Sequence, residues 1–248
     1  MNGSGTVAFP LKTYSERPVR ILRRNSFMSN AFFSYKIHLP AHAEEGRKYP
    51  VVFALHGIGY NEEYMLDLVK DLKEEFILIG VRGHLLYEDG YAYYYLKDYG
   101  NPERKLFDDS IDKLKHFIDY AFHQYPIDSN KVYLIGFSQG AILSMTLALL
   151  LGDAIKGIVA MNGYIPSFVK KEYPLKSIRP LSVFLTQGES DPIFPLNVGQ
   201  ETYDYLRLHA GSVKYTIYPA GHEISQDNQR DLVSWLRHDS LRCSHEMK

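Results

Sequence analysis

Ser138 lies between two glycines in the sequence Gly-Phe-Ser-Gln-Gly. A predicted strand, Lys131–Phe137, runs directly into this turn, and a predicted apolar helix, Ser138–Leu151, follows without room for a loop. This context is typical of a nucleophile elbow, where a sharp turn exposes the serine hydroxyl and the following helix directs backbone N–H groups toward developing negative charge. A helix-capping serine in a glycine-flanked turn is the alternative. We predict that Ser138 is a catalytic nucleophile.

A serine nucleophile needs a general base, and the base needs an acid that orients it. After a nucleophile elbow of this kind, the expected chain order is Asp or Glu and then His. Asp191 follows the predicted strand Leu181–Gln187, although a plain turn aspartate is an alternative reading and Glu189 is a competing acid. His222 follows the last predicted strand and precedes a helix. We therefore predict a triad of Ser138, Asp191 and His222.

The reaction of such a serine also needs two N–H donors for the oxyanion. The predicted strand Val51–Leu55 ends in the glycine-rich sequence His-Gly-Ile-Gly. We predict that one donor is the backbone N–H of Gln139, the residue after the nucleophile, and that the other is the N–H of Ile58. His56 begins this glycine-rich sequence, and we expect it to have a structural role within the loop and not to be the catalytic base.

Short apolar runs alternate with amphipathic stretches along the chain, as expected for strands buried on both faces and for helices that cover them. This alternation predicts an α/β fold, with a mostly parallel twisted sheet and helices on both faces. The predicted strands are Ser34–Leu39, Val51–Leu55, Ile77–Val81, Lys131–Phe137, Gly157–Met161, Leu181–Gln187 and Val213–Tyr218. The predicted helices are Asn61–Lys73, Asp108–Tyr125, Ser138–Leu151, Leu196–His209 and Glu223–Arg237.

Two long connections interrupt the alternation: Gly83–Lys105, which is rich in tyrosine, and Asn162–Arg179, which holds Tyr164, Phe168 and Tyr173. Each follows a predicted strand, so each should emerge at the carboxyl edge of the sheet, where open α/β folds bind ligands. We interpret residues 83–105 as a structureless Tyr-rich loop over the active site. The side chains predicted to contact substrate are Tyr91, Tyr94, Tyr164 and Ile193.

The composition is that of an ordinary globular protein, and 248 residues fit a single domain, 1–248, whose first fifty residues form an extension that adds an edge strand or two. A net charge of −1 argues against nucleic-acid or anionic-membrane partners.

Cys243 is the single cysteine, so no internal disulfide is expected. No secretory signal is recognised in Met1–Arg20, and the longest apolar run, Ala141–Leu151, is too short to span a membrane. We expect a cytoplasmic protein without an integral membrane segment.

Taken together, the four motifs around Ile58, Ser138, Asp191 and His222 resemble the phospholipase/carboxylesterase group of α/β-hydrolases. That group includes small bacterial carboxylesterases and the acyl-protein thioesterases. The resemblance runs from about Val51 to the last helix and implies an α/β-hydrolase fold, the triad and oxyanion amides given above, and no cofactor or metal. The chain departs from the group in the Tyr-rich connection, for which no counterpart is recognised. The resemblance therefore implies the type of reaction better than it implies the substrate.

The expected activity is hydrolysis of small carboxylic esters through an acyl-enzyme on Ser138, and the Tyr-lined cleft favours short to medium acyl chains. An acyl-protein thioesterase or a lysophospholipase is the nearest alternative, because both use the same machinery with another leaving group. A non-catalytic binding protein of the same fold is a further alternative, although such proteins usually lack a triad member. The oligomeric state is left open, with a homodimer as one candidate.

Overall fold

The structure is a computed structural model, and it describes residues 33–98 and 101–242 of the chain. The strands in chain order are β1 (Tyr35–His38), β2 (Tyr49–Leu55), β3 (Ile77–Val81), β4 (Leu85–Tyr87), β5 (Gly90–Ala92), β6 (Leu96–Asp98), β7 (Asn101–Pro102), β8 (Ile127–Phe137), β9 (Gly157–Met161), β10 (Ser182–Gly188) and β11 (Ser212–Tyr218). The helices are α1 (Glu62–Val69), α2 (Arg104–Gln124), α3 (Gln139–Leu151), α4 (Ser167–Glu172), α5 (Leu196–His209) and α6 (Gln226–Leu241).

Seven of these strands form one sheet in the order β1-β3-β2-β8-β9-β10-β11. All neighbouring pairs are parallel except β1, which pairs antiparallel with β3 at the edge of the sheet. β1 lies in the predicted N-terminal extension, and residues 1–32 of that extension are outside the described part of the chain. The prediction of a mostly parallel sheet is confirmed.

Helices cover both faces of the sheet because successive side chains of a strand point to opposite faces. In β2, Val51, Phe53 and Leu55 pack into a core shared with α2, α3 and α5. Val52 and Ala54 point the other way, into a second core shared with α1 and α6. All five side chains are fully buried, which explains why β2 reads as a continuous apolar run.

α3 is apolar almost all round its axis because it packs on the middle of the sheet, and every residue from Gln139 to Leu149 is buried. The predicted start at Ser138 is one residue early, since the backbone of Ser138 is not helical. No helix within the described ranges is long and apolar enough to cross a membrane.

Several boundaries differ from the predicted ones. β8 begins at Ile127, four residues before the predicted start, and α2 begins at Arg104. The last helix begins at Gln226 and not at Glu223, because the hydroxyl of Ser225 caps it by accepting a hydrogen bond from the N–H of Asn228 at 3.2 Å.

The connection Gly83–Lys105 is not a structureless loop, and that expectation was wrong. Its first part forms the antiparallel hairpin β4–β5, and its second part contains the strand pair β6–β7. The other long connection, Asn162–Arg179, contains the short helix α4. Tyrosine suits strands as well as loops, so a tyrosine-rich run without helical periodicity did not distinguish the two.

The first testable prediction concerns α3, whose Leu147 side chain is fully buried between the sheet and α2. Leu147→Ala should lower the free energy of unfolding by about 2–5 kcal/mol, through lost apolar burial and the cavity left behind. The matched control is Leu208→Ala in α5, where the side chain is 62% exposed, and the expected change is within about 0.5 kcal/mol. Urea denaturation of the two variants measures the difference, and equal effects would contradict the placement of α3.

Candidate active site

Ser138 occupies the corner between β8 and α3, with φ +52° and ψ −114°. A non-glycine residue held in such a region costs about 1–3 kcal/mol and persists only where its surroundings fix it. The N–H of Ser138 donates to the carbonyl of Met161 at 2.9 Å, which ties the corner to β9. A Cβ at Gly136 would lie 2.2 Å from the Gly140 carbonyl oxygen, and one at Gly140 would lie 2.1 Å from the Leu55 carbonyl oxygen. Only glycines therefore allow this corner.

His222 lies within hydrogen-bond distance of both other predicted triad side chains. His222 Nε2 lies 2.9 Å from Ser138 Oγ, and His222 Nδ1 lies 2.8 Å from Asp191 Oδ2. The three residues follow β8, β10 and β11, whose carboxyl ends meet at one edge of the parallel sheet. Ser138 and Asp191 are buried, whereas 18% of the His222 side chain is exposed. The competing acid, Glu189, is exposed.

Asp191 is held as a carboxylate by the groups around it. Burial raises its pKa, but hydrogen bonds from Asn162, His222 and the Phe194 N–H oppose burial, and the net effect is a lowered pKa. Oδ1 accepts from the backbone N–H groups of Ile193 at 2.7 Å and Phe194 at 2.9 Å. Oδ2 accepts from the Asn162 amide at 2.8 Å in addition to His222. An ionised acceptor at Oδ2 requires that His222 donates from Nδ1, which leaves Nε2 free to accept the serine proton.

Asn162 is a residue of this site that the sequence interpretation missed. It follows β9 with φ +50°, a conformation that asparagine tolerates better than most residues. Its Nδ2 donates to Asp191 Oδ2 at 2.8 Å and to the Gly221 carbonyl at 3.3 Å, so it links the acid to the residue before His222. The available signal was an asparagine directly after a buried strand at the carboxyl edge of the sheet.

The two predicted oxyanion donors border the same small cavity as Ser138. Gly57, next to Ile58, packs closely on the elbow, since a Cβ there would lie 3.0 Å from the Phe137 ring and 3.4 Å from Ser138 Cβ. This close approach keeps the loop against the nucleophile. Within the described part of the chain, neither the Ile58 N–H nor the Gln139 N–H donates to a protein acceptor. No acceptor in the described residues therefore competes with a bound oxygen for either N–H.

The cavity at Ser138 has a volume of about 220 Å³ and walls that are almost entirely apolar. Three of the predicted substrate contacts, Tyr94, Tyr164 and Ile193, line it. The lining residues that the sequence interpretation missed are Leu96, Ile142 and Phe194. A second cavity of about 520 Å³ adjoins it and shares Tyr164, Ile193 and Phe194 as a common wall.

Tyr91, the fourth predicted substrate contact, is not among the residues that line this cavity. Its ring lies under the guanidinium of Arg82, with 4.6 Å between the charge centre and the ring centroid, and its hydroxyl accepts from Arg82 Nη1 at 3.2 Å. Arg82 in turn donates to both carboxylate oxygens of the buried Glu62. Strand alternation explains the placement, because Tyr91 and the buried Ala92 of β5 point to opposite sides.

His56 lies near the site, but both of its ring nitrogens are bound to backbone. Nδ1 lies 2.7 Å from the Gly57 carbonyl, and Nε2 lies 2.8 Å from the N–H of Gly83. A carbonyl must accept and an N–H must donate, so the ring is the neutral tautomer with its proton on Nδ1. Burial lowers the pKa of His56 to about 4, which keeps the ring uncharged at neutral pH. These contacts fit the structural role expected of it.

Comparison with known proteins finds one matching family. The sequence model of the family described as Phospholipase/Carboxylesterase matches residues 40–239. MhqD of Bacillus subtilis, which is named as a hydrolase, is 28% identical over 195 residues, covering 78% of this chain and 96% of MhqD. Acyl-protein thioesterase 1 of Debaryomyces hansenii is 30% identical over 148 residues, covering 56% of this chain and 63% of the relative.

Solved structures show the same arrangement of elements. The carboxylesterase of Bacillus cereus superposes with a TM-score of 0.74 at 24% identity, covering 85% of this chain and 96% of that chain. The carboxylesterase of Mesorhizobium loti gives a TM-score of 0.74 at 21% identity, covering 85% and 97% of the two chains. At these identities the two superpositions show a shared fold and nothing further.

The second testable prediction concerns His56 and pH. The folded protein binds a proton at His56 only near pH 4, whereas an unfolded chain binds it near pH 6.5, so acidification between these values favours unfolding. The contribution of His56 to stability is complete above pH 6.5 and falls by up to about 3 kcal/mol as the pH drops to about 4.

Urea denaturation between pH 4.5 and 7.5 measures this effect, with His56→Gln as the comparison because glutamine stays neutral. The stability difference between wild type and variant should shrink as the pH falls. Burial also lowers the pKa of His84, but His84 is present in both proteins, so its effect cancels in the comparison. Parallel stability curves for the two proteins would contradict the prediction.

Proposed function

The chain belongs to the phospholipase/carboxylesterase family and has the α/β-hydrolase fold, and from this we propose that it is a serine carboxylesterase acting through an acyl-enzyme on Ser138. The family resemblance expected from the sequence is confirmed, and the protein is a hydrolase of the esterase and thioesterase type. One observation supports the proposal above all others, namely the continuous hydrogen-bond chain from Asp191 through His222 to the hydroxyl of Ser138.

In the proposed mechanism, Ser138 Oγ attacks the ester carbonyl carbon while His222 Nε2 takes the hydroxyl proton. The carbonyl oxygen becomes an oxyanion that accepts hydrogen bonds from the N–H groups of Ile58 and Gln139. Collapse of this intermediate breaks the bond to the leaving alcohol, which receives the proton from His222. Water then attacks the acyl-enzyme carbonyl carbon and loses a proton to His222. Collapse of this second intermediate breaks the bond to Ser138 Oγ, which takes the proton back from His222, and the acid product leaves. Asp191 stabilises the imidazolium in both halves of the reaction.

The size of the cavity favours esters of short carboxylic acids. At about 220 Å³ it holds a small acyl group beside Ser138, and Ile142, Tyr94 and Phe194 form its apolar walls. A long acyl chain would need an apolar channel that continues beyond these side chains. The adjoining cavity has a more polar lining that includes Lys170 and Glu201, which suits a leaving group better than an alkyl chain.

An acyl-protein thioesterase is the second candidate, because two relatives with that name match 56% and 59% of the chain. The chemistry at Ser138 would be the same, with a thiol as the leaving group. A lysophospholipase stays the third member of this group of alternatives. A non-catalytic binding protein is disfavoured, since such a protein has no need of a buried, fully hydrogen-bonded Asp191 or of a strained Ser138 backbone.

The third testable prediction concerns the nucleophile. Ser138→Ala should abolish covalent labelling by a fluorophosphonate probe and lower hydrolysis of p-nitrophenyl butyrate by at least about 10³-fold, because no other group replaces the attacking oxygen. The matched control is Ser144→Ala in the same helix. The Ser144 hydroxyl is buried and has no hydrogen-bond partner in the described residues, so its loss should leave labelling intact. Equal labelling of the Ser138 variant and wild type would remove Ser138 from its role.

The fourth prediction concerns the substrate. Across p-nitrophenyl esters of two to sixteen carbons, kcat/KM should peak at about two to six carbons and decline beyond, because longer chains do not fit the cavity. Ile142→Ala enlarges the cavity at Ser138 and should move the peak toward longer chains, whereas Leu208→Ala at an exposed position in α5 should not. Thioester and lysophospholipid substrates measured alongside identify the leaving group. A peak at twelve or more carbons would overturn the short-chain assignment.

A further inference from the structure

The residues Gly83–Tyr94, called here the tyrosine segment, have no chemical role in the proposed mechanism, although Tyr94 forms part of the cavity wall. The segment leaves the carboxyl end of β3, folds into the hairpin β4–β5 and ends at Tyr93 and Tyr94. Its backbone and side chains make hydrogen bonds to both elements that carry the oxyanion donors. These contacts give the segment a role that its sequence did not reveal.

One set of contacts joins the tyrosine segment to the loop that carries the Ile58 N–H. The N–H of Gly59 donates to the Tyr91 carbonyl at 2.9 Å, and the N–H of Tyr91 donates to the Tyr60 carbonyl at 2.9 Å. The two bonds form an antiparallel bridge directly after Ile58. Gly90 makes the approach possible, because a Cβ there would lie 2.0 Å from the Gly59 carbonyl oxygen. The Ile58 loop is therefore fixed to the hairpin.

A second set of contacts joins the tyrosine segment to the nucleophile elbow through the side chain of Gln139. Its Oε1 accepts from the N–H of Tyr93 at 2.7 Å, and its Nε2 donates to the carbonyl of Tyr94 at 2.8 Å. The side chain is buried, and the two bonds engage both the oxygen and the nitrogen of its amide group. The backbone N–H of Gln139 is one of the two predicted oxyanion donors. The side chain that bonds the tyrosine segment and the N–H that would bond the oxyanion therefore belong to the same residue.

The tyrosine segment is itself anchored in the core. The hydroxyl of Tyr93 donates to the Val81 carbonyl at 2.7 Å, and the carbonyl of Tyr93 accepts from the buried hydroxyl of Ser110 at 2.5 Å. At its start, the N–H of Gly83 donates to His56 Nε2. Anchors at both ends make the segment a rigid part of the fold and not a lid that opens.

We propose that the tyrosine segment is a positioning element that sets the spacing between the two oxyanion donors, the N–H groups of Ile58 and Gln139. The inference rests on the proposed function and names the residues that tune its site: the Gln139 side chain at one end, and Gly90 with the Tyr91 backbone at the other. Oxyanion stabilisation depends on donors held in advance at about 2.7–3.1 Å from the developing charge. A shift of about 1 Å in such groups costs up to about 10²-fold in rate.

Three variants test the inference. Gln139→Met removes both bonds to the segment, keeps the side-chain length and leaves the backbone N–H donor in place. Gly90→Ala acts at the other end, where the added methyl group must displace the Ile58 loop. The matched control is Tyr95→Phe, which removes a hydrogen bond from the adjacent tyrosine to the Leu86 carbonyl at 2.9 Å but none to either donor element.

The measurements are kcat and KM for a short ester and for its thiono analogue, in which sulfur replaces the carbonyl oxygen. Sulfur accepts hydrogen bonds poorly, so an enzyme with well-placed donors strongly prefers the oxygen ester. For Gln139→Met and Gly90→Ala we expect kcat on the oxygen ester to fall about 10–100-fold, KM to stay within about threefold, and the oxygen-to-sulfur rate ratio to fall toward one. Tyr95→Phe should keep all three values within about twofold.

Amide hydrogen exchange supplies a readout that does not depend on activity or on any substitution. In the wild-type protein the N–H groups of Gly59, Tyr91 and Tyr93 should exchange as slowly as those of the central strands. Each of them takes part in a hydrogen bond that joins the anchored tyrosine segment to a neighbouring element. Rapid exchange at these positions would overturn the inference, even if both variants failed to fold. In the folded variants, exchange at Gly59 should accelerate.

The outcomes separate this inference from the proposed function. Wild-type kcat and an unchanged oxygen-to-sulfur ratio in Gln139→Met and Gly90→Ala would overturn the positioning role, while hydrolysis that still requires Ser138 would leave the esterase assignment intact. Hydrolysis that persists in Ser138→Ala would overturn both. A rise in KM alone, with kcat unchanged, would also overturn the positioning role, since it would indicate lost substrate binding and not lost stabilisation of the transition state.

Discussion

The corner between β8 and α3 leaves no space for a side chain at residues 136 and 140, and the rest of the site depends on this constraint. The missing side chains let α3 begin immediately after the strand, close to the end of β2. Ser138 takes a strained backbone conformation, fixed by its hydrogen bond to Met161 in the neighbouring strand. Its hydroxyl is thereby presented where the ends of β8, β10 and β11 meet, and Gln139, the first residue of α3, lines the same cavity.

Around this corner, hydrogen bonds keep a buried negative charge in place, and no lysine or arginine in the described part of the chain pairs with it. The carboxylate of Asp191 accepts from two backbone N–H groups, from Asn162 and from His222, which offsets the cost of its burial. Because the lowered pKa of Asp191 keeps it ionised, it determines which nitrogen of His222 carries the proton. Asn162 also bonds the Gly221 carbonyl, so the acid and the histidine loop are positioned by one side chain.

The two sides of the cavity are joined by backbone hydrogen bonds and a single glutamine amide. The Ile58 loop pairs with Tyr91, and the elbow reaches Tyr93 and Tyr94 through Gln139. The tyrosines of this segment thus divide into different roles, with Tyr93 as a core residue, Tyr94 as a cavity wall and Tyr91 as a partner of Arg82. An apolar body with a polar tip suits all three environments, which explains the excess of this residue type.

The sequence by itself determined the strand–helix alternation, the family, and the three residues whose order along the chain matched a triad. These features are local, because periodicity, glycine spacing and the position of a residue after a strand are all properties of short stretches. The tertiary structure decided what depends on contacts between distant stretches. These are the hairpin within residues 83–105 and the contact of Tyr91 with Arg82. They also include the hydrogen bond from Asn162 to Asp191 and the bond from the Gln139 side chain to the Tyr94 carbonyl. None of these follows from spacing, since each requires the partner's position in space. A tyrosine or an amide side chain satisfies its hydrogen bonds in many environments, so its type alone does not select one.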